Sequence, residues 1–219
     1  MKARTRHDIT QHSFEEFVAF LFDRSVSSKA EGQDPWYWNV DVTFDSDRIR
    51  GYYVRLFHGP KFLLEQFSKE QLEQGFWAIQ SCNLSCSVSE LIWDTGLTFA
   101  AREECVRSML DLFTQLFTAE PLETSVQMWW DSLCYDWHCG NRKRERGGED
   151  AAMQDVMFQT LSSLLAVDSD ICQGAALHGL GHLHHPGTEQ VVQRYLRERT
   201  SLSREWKEYA LAAARFEVL

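Results

Sequence analysis

Three features of the sequence predict an all-α fold. Apolar residues recur at i, i+3, i+4 and i+7 through most segments. Serine-led capping signatures stand ahead of several of those segments. Residues that punctuate sheets are scarce, with only four prolines and twelve glycines in 219 residues. Fourteen Phe, eight Trp and six Tyr, within a 44% hydrophobic composition, supply a real core and exclude disordered and fibrous classes. The length suits one α-helical domain spanning 1–219.

The elements follow in order. Ser13-Phe-Glu-Glu16 has the form of a capping box and precedes the stripe Phe14, Phe17, Val18, Leu21, Phe22. Trp36, Trp38, Val40, Val42 and Phe44 alternate with polar residues, so an extended or hairpin segment near 36–57 is one reading, with Tyr52–Phe57 as its partner. The rival reading, a helix over Ser46–Phe57 with Ile49, Tyr53, Leu56 and Phe57 on one face, is favoured, because an isolated hairpin is marginal in water. Ser68-Lys-Glu-Gln71 and Ser87-Val-Ser-Glu90 repeat the capping signature. Phe99–Phe117 reads as the clearest long helix, through Val106, Met109, Leu110, Phe113, Leu116 and Phe117. Pro121 sits where a first helical turn tolerates it, opening a helix that carries Val126, Trp129, Trp130 and Leu133 towards Trp137. A polar, Gly-containing loop at 139–150 is the one internal boundary, and four further helices begin near Met153, Asp168, Thr188 and Ser203.

The net charge of −10 opposes non-specific nucleic-acid binding, which depends on neutralising phosphates. The basic Lys2, Arg4 and Arg6 are followed by polar residues rather than by an apolar signal core, and no apolar run reaches the roughly 18 residues of a membrane span. The chain therefore reads as cytoplasmic, without a membrane partner. Its six cysteines read as reduced core thiols.

Cys172-Gln-Gly-Ala-Ala-Leu-His-Gly-Leu-Gly-His-Leu-His-His-Pro186 resembles the second helix of a HEAT repeat, through Ala175, Ala176, Leu180-Gly181, Leu183 and the closing Pro186. The likeness covers one unit, about residues 168–198, and Gln173 stands where the family usually carries Arg. It implies an α-solenoid of stacked helix pairs, an architecture that commonly serves protein recognition. The expected function is accordingly a non-enzymatic protein–protein interaction module, of adaptor or immunity type, whose acidic balance suits a basic partner.

Two alternatives come from side-chain constellations. His178, His182 and His185 share one side of a helix, away from the stripe Cys172, Ala176, Leu180, Leu183. That arrangement reads first as a solvated face and second as ligands for Zn²⁺ in a metal-dependent enzyme, with no acidic residue in the segment to complete the set. Cys82, Cys86, Cys134 and Cys139 form a weaker zinc combination, because their spacings are wider than those of zinc ribbons. Arg142, Lys143, Arg144 and Arg146 make the sharpest basic cluster, which could grip an acidic partner or a nucleic acid, or simply be a solvated loop. Trp129, Trp36 and Trp38 are candidate surface anchors, with core packing as the competing role. No paired-carboxylate or nucleophile-elbow pattern marks a catalytic residue, and no cofactor is expected beyond the zinc alternative.

Overall fold

The computed structural model describes residues 4–27, 32–122, 124–199 and 201–218. The fold is all-α: eleven α-helices and a single two-stranded sheet are present among the described residues. The chain divides into two compact units, 1–125 and 126–219, and the polar loop at 139–150 lies inside the second. No helix among the described residues is long and apolar enough to cross a membrane.

The first unit opens with strand β1 (Thr5–Asp8) and helix α1 (Phe14–Phe22). Strand β2 (Val40–Thr43) runs parallel to β1, with Thr5 opposite Val40 and Asp8 opposite Thr43. The extended segment expected near 36–57 is therefore present but is no hairpin. Its partner is the N-terminal strand, and Tyr52–Phe57 belongs to helix α2 (Ser46–His58), as the favoured reading held. A parallel pair needs a crossover connection, and α1 supplies one here. Trp36–Trp38 forms a single tight 3₁₀ turn ahead of β2.

Helices α3 (Leu63–Gln66), α4 (Lys69–Gln80), α5 (Val88–Leu91) and α6 (Phe99–Leu112) complete the unit. The capping boxes at Ser13 and Ser68 form with both hydrogen bonds each. At Ser87 the hydroxyl instead meets Ser89 Oγ at 2.9 Å, and the helix that follows lasts only four residues. The long helix continues past Leu112 in a widened turn, with Thr118 N donating to Phe113 O. Phe17 packs edge-on to Tyr53, and Phe22, Phe76, Phe117 and Phe113 form a run of edge-to-face rings with centroids about 5 Å apart. Such pairs add about 0.5–1.5 kcal/mol each beyond simple burial.

The second unit contains α7 (Trp129–His138), α8 (Gly148–Ala166), α9 (Asp170–Leu183), α10 (Thr188–Glu198) and α11 (Arg204–Ala214). The helix expected after Pro121 starts only at Trp129. Residues 124–128 form turns, and Glu123 lies outside the described residues. Helix α9 is the hub, packed against α7, α8, α10 and α11, and every residue from Ala175 to Leu183 is buried. Gly179 permits the closest approach: a Cβ there would stand 2.5 Å from Trp130 Cβ and 2.8 Å from Leu161 Cδ2.

Candidate metal centre

The position of α9 corrects the expectation of a solvated histidine face. His178, His182 and His185 are all buried. The apolar stripe of α9 accounts for only part of its packing. Helices α7 and α11 cover the side the histidines occupy, so no side of its second half is left for water.

Helix α7 brings Asp131 to this side. Asp131 Oδ1 lies 3.3 Å from His182 Nε2, and one ligand atom each of Asp131, His178 and His182 falls within 4.8 Å of the others. The carboxylate that the α9 segment lacks thus comes from a different helix. The remaining ring nitrogens are held from outside. His178 Nδ1 is 3.0 Å from the Tyr209 hydroxyl of α11, and His182 Nδ1 is 3.0 Å from His138 Nδ1 of α7. Both Nε2 atoms are buried without a hydrogen-bond partner.

Electrostatics keep these rings neutral. Burial lowers the pKa of His178, the nearby His138 adds to the effect, and Asp131 opposes it. His182 is pushed down to about 4, by burial first and then by His178, with Asp131 again opposing. Burial and His138 also lower His184. A neutral imidazole has one lone pair to give. The direction of both contacts follows the tautomer; in the tautomer that carries the proton on Nδ1 of His178 and His182, both lone pairs fall on Nε2, beside the carboxylate. The opposed Nδ1 atoms then require the His138 proton on its Nε2. Outer partners on the second ring nitrogen are characteristic of metal-ligating histidines.

The set fits a transition metal. Donors on a tetrahedral ion with bonds of about 2.0–2.1 Å stand roughly 3.4 Å apart. The 3.3 Å between Asp131 Oδ1 and His182 Nε2 is already near that separation, and all three donors lie within 4.8 Å of one another. Asp131 keeps 29% of its side-chain surface exposed, which leaves one edge of the group open.

His185 stands apart from this group. Its Nε2 meets Asp155 Oδ1 at 2.9 Å, its Nδ1 accepts from Gly187 N, and its ring stacks on Phe158 at 3.9 Å, so both nitrogens are occupied. The basic loop is largely turned inward. Arg142 pairs with Asp136 and Asp150, and Arg144 with Asp155 and the side-chain Oε1 of Gln154, while Arg146 donates to Asn141 O. Lys143 is exposed. The helical elements on either side of the loop supply the acids that its spacing in sequence conceals.

Trp129 is completely buried, which removes it from any surface. Trp36 is half-buried against Phe20, with the Arg24 guanidinium over its ring, whereas Trp38 is 47% exposed. The six cysteines are free thiols. Cys82 and Cys86 belong to the first unit and Cys134 and Cys139 to the second, and none joins the Asp131 group. Burial pushes the Cys86 and Cys105 thiols up to about 12, which keeps them protonated and inert.

Sequence reasoning missed Asp131, His138 and Tyr209. Asp131 and His138 are seven residues apart, hence on one face of α7, which was a signal; Tyr209 gave none. Comparisons with protein-family models, with curated proteins and with solved structures find no match.

Proposed function

We propose that the second unit binds a single first-row transition metal ion, Zn²⁺ foremost, through Asp131, His178 and His182. One observation carries this reading: two buried imidazole nitrogens without a hydrogen-bond partner face one carboxylate, which stands 3.3 Å from His182 Nε2, while outer partners contact both rings. Two nitrogens and one oxygen suit zinc or ferrous iron rather than magnesium or calcium, which take oxygen ligands. Three protein ligands also leave a coordination position for water or substrate, the pattern of catalytic rather than closed structural sites. The reading therefore favours a metal-dependent enzyme over a passive staple.

The test is elemental analysis of untagged protein purified without chelator, followed by titration with Zn²⁺. About one tightly held ion per chain is expected. Asp131→Ala and His182→Ala should lose it, and His185→Ala should keep it. An equal metal content in wild type and the His178→Ala/His182→Ala double variant would overturn the assignment.

A second reading keeps the protein-recognition role that the HEAT resemblance implies. Its support is the packing of α8 on α9, α10 on α11, and α11 on α9, which is what stacked helix pairs require. The exposed Trp38 is its best candidate anchor. Loss of a defined partner on Trp38→Ala, with the metal retained, would favour this reading.

A further inference from the structure

The first unit carries a cleft of about 480 Å³ between the start of α1, the end of α2 and the residues that flank α3. Small-molecule pockets occupy roughly 300–1,000 Å³ and are mostly apolar, with a few polar groups at fixed points. This cleft has that character. Phe14, Val18 and Ala19 come from one side of α1, and the half-buried Phe62 and Phe67 close it from either end of α3. Phe14 and Phe62 stand edge-to-face at 6.1 Å. The Ser13 capping box fixes the first turn of α1, and with it the places of Phe14 and Glu15.

The mouth of the cleft carries one charge of each sign. Arg55 and Glu15 are the charged residues among those that line it, and Arg55 Nη2 stands 3.1 Å from Glu15 Oε1. The guanidinium carbon also lies 3.8 Å from the centroid of the Phe14 ring, which holds the cation against the apolar floor. Both side chains remain largely exposed, at 61% and 71%. An ion pair this exposed is worth little to the fold, so it is easily exchanged for contacts to a ligand. A ligand with a single charge would meet one attractive and one repulsive partner at this rim. A ligand bearing both charges on neighbouring atoms would meet two attractive ones.

We propose that this cleft binds a free aromatic amino acid, its carboxylate on Arg55, its ammonium on Glu15 and its ring among Phe14, Val18, Phe62 and Phe67. The two charges of such a molecule sit on one α-carbon, so both reach the closely spaced pair while the side chain enters the cleft. A peptide carries these charges at opposite ends and satisfies only one of the two. Edge-to-face contact with the phenylalanine rings favours an aromatic side chain over an aliphatic one. The site lies in the first unit and is independent of the metal-binding reading, which concerns the second.

The probe is L-phenylalanine, titrated into the full chain and followed by amide NMR. Shifts confined to α1, the end of α2 and α3 are expected, with a dissociation constant of about 1 mM, the order for a ligand of about a dozen non-hydrogen atoms. N-acetyl-L-phenylalanine, which lacks the ammonium, and L-phenylalaninamide, which lacks the carboxylate, should each bind about tenfold more weakly. Arg55→Gln should bring L-phenylalanine down to the affinity of its amide. Ala19→Trp, at an exposed wall position where a large side chain fills the cleft, should abolish binding and leave the rest of the amide spectrum in place. An absence of shifts at the cleft at about ten times the expected constant would overturn the proposal. So would equal affinity for N-acetyl-L-phenylalanine, which would make this a simple anion site, or for the amide, which would assign it to a peptide N-terminus. Unchanged binding in Ala19→Trp would put the ligand elsewhere and overturn it as well.

Discussion

The two units bury very different interiors. In the first, the rings of Phe17, Phe22, Phe57, Phe76, Phe113 and Phe117 are completely enclosed, and Tyr53 and Gln80 donate to the backbone carbonyls of Cys86 and Ser125, while the indole Nε1 of Trp36 is buried without a hydrogen-bond partner. In the second, the hub helix carries two histidines whose Nε2 atoms are buried beside the Asp131 carboxylate without a hydrogen bond. Burying a Phe stabilises by roughly 1.5–3 kcal/mol, whereas a buried polar atom left unsatisfied costs about 1–3 kcal/mol. The first interior is mainly a matter of aromatic burial, and its unsatisfied indole has no titratable neighbour set like that of α9. The second is not, and a perturbed, buried pair of titratable groups beside a carboxylate is where function is to be sought.

The largest expected effect tests whether α9 is the hub of its unit. Gly179→Ala would drive a Cβ into Trp130 Cβ, the root of a side chain that cannot move without moving α7. Overpacking of this kind should destabilise by about 3 kcal/mol, read as lost hydrogen-exchange protection in α7, α8 and α9. Near-wild-type protection there would mean that α9 has room to shift and that the His/Asp geometry is not fixed by packing.

Acid should separate the two interiors. Histidines held below their ordinary pKa bind fewer protons when folded than when unfolded. In the ion-free chain the second unit should therefore lose stability as pH falls from about 6.5, through the value near 4 reached by His182. The groups facing that ring are His178, His138, His184 and Asp131, and only Asp131 opposes the shift. In the first unit burial also lowers His7, and the acid-sensitive group deepest in its hydrogen-bond network is Glu73, which accepts from Thr124 N and Oγ1, Ser125 N and Oγ, and Trp77 Nε1. Burial raises its pKa, but these hydrogen bonds together outweigh burial and hold it below the ordinary carboxylate value. Its stabilisation is complete above that ordinary value and disappears only as pH falls through the lowered one. Exchange measured from pH 7 to 3 should show the second unit opening first. A shared midpoint would erase the distinction. Glu73→Gln should cost the first unit about 2 kcal/mol at pH 7 and flatten its acid limb.

These contrasts also mark what the sequence made legible. Helices with strong local signals, such as those behind the Ser13 and Ser68 capping boxes, sit where the pattern put them. The parallel pairing of Thr5–Asp8 with Val40–Thr43 was hidden, because strands separated by a helix leave no local trace of each other. The histidine cluster was half legible. His178 and His182 share a helical face in any reading, but whether that face meets water or another helix depends on α7 and α11, far along the chain. The same applies to Asp131, whose spacing says nothing about α9.

The smallest effects concern the basic loop, where the two rival pictures of its arginines diverge most clearly. Arg144 joins the loop to Asp155, which also receives His185, and the Arg144 hydrogen bond is the leading reason the Asp155 pKa is lowered. Arg144→Ala should therefore cost the second unit about 1 kcal/mol, as a partly exposed, hydrogen-bonded pair would. Lys143→Ala, at an exposed neighbour in the same charge run, should change stability by less than about 0.5 kcal/mol. If instead both substitutions were silent for stability and both lowered retention on a polyanion, the arginines would be serving an acidic ligand rather than the fold. The ion pairs to Asp136, Asp150 and Asp155 argue for the fold, because a guanidinium already held by carboxylates must give them up before it can take a phosphate.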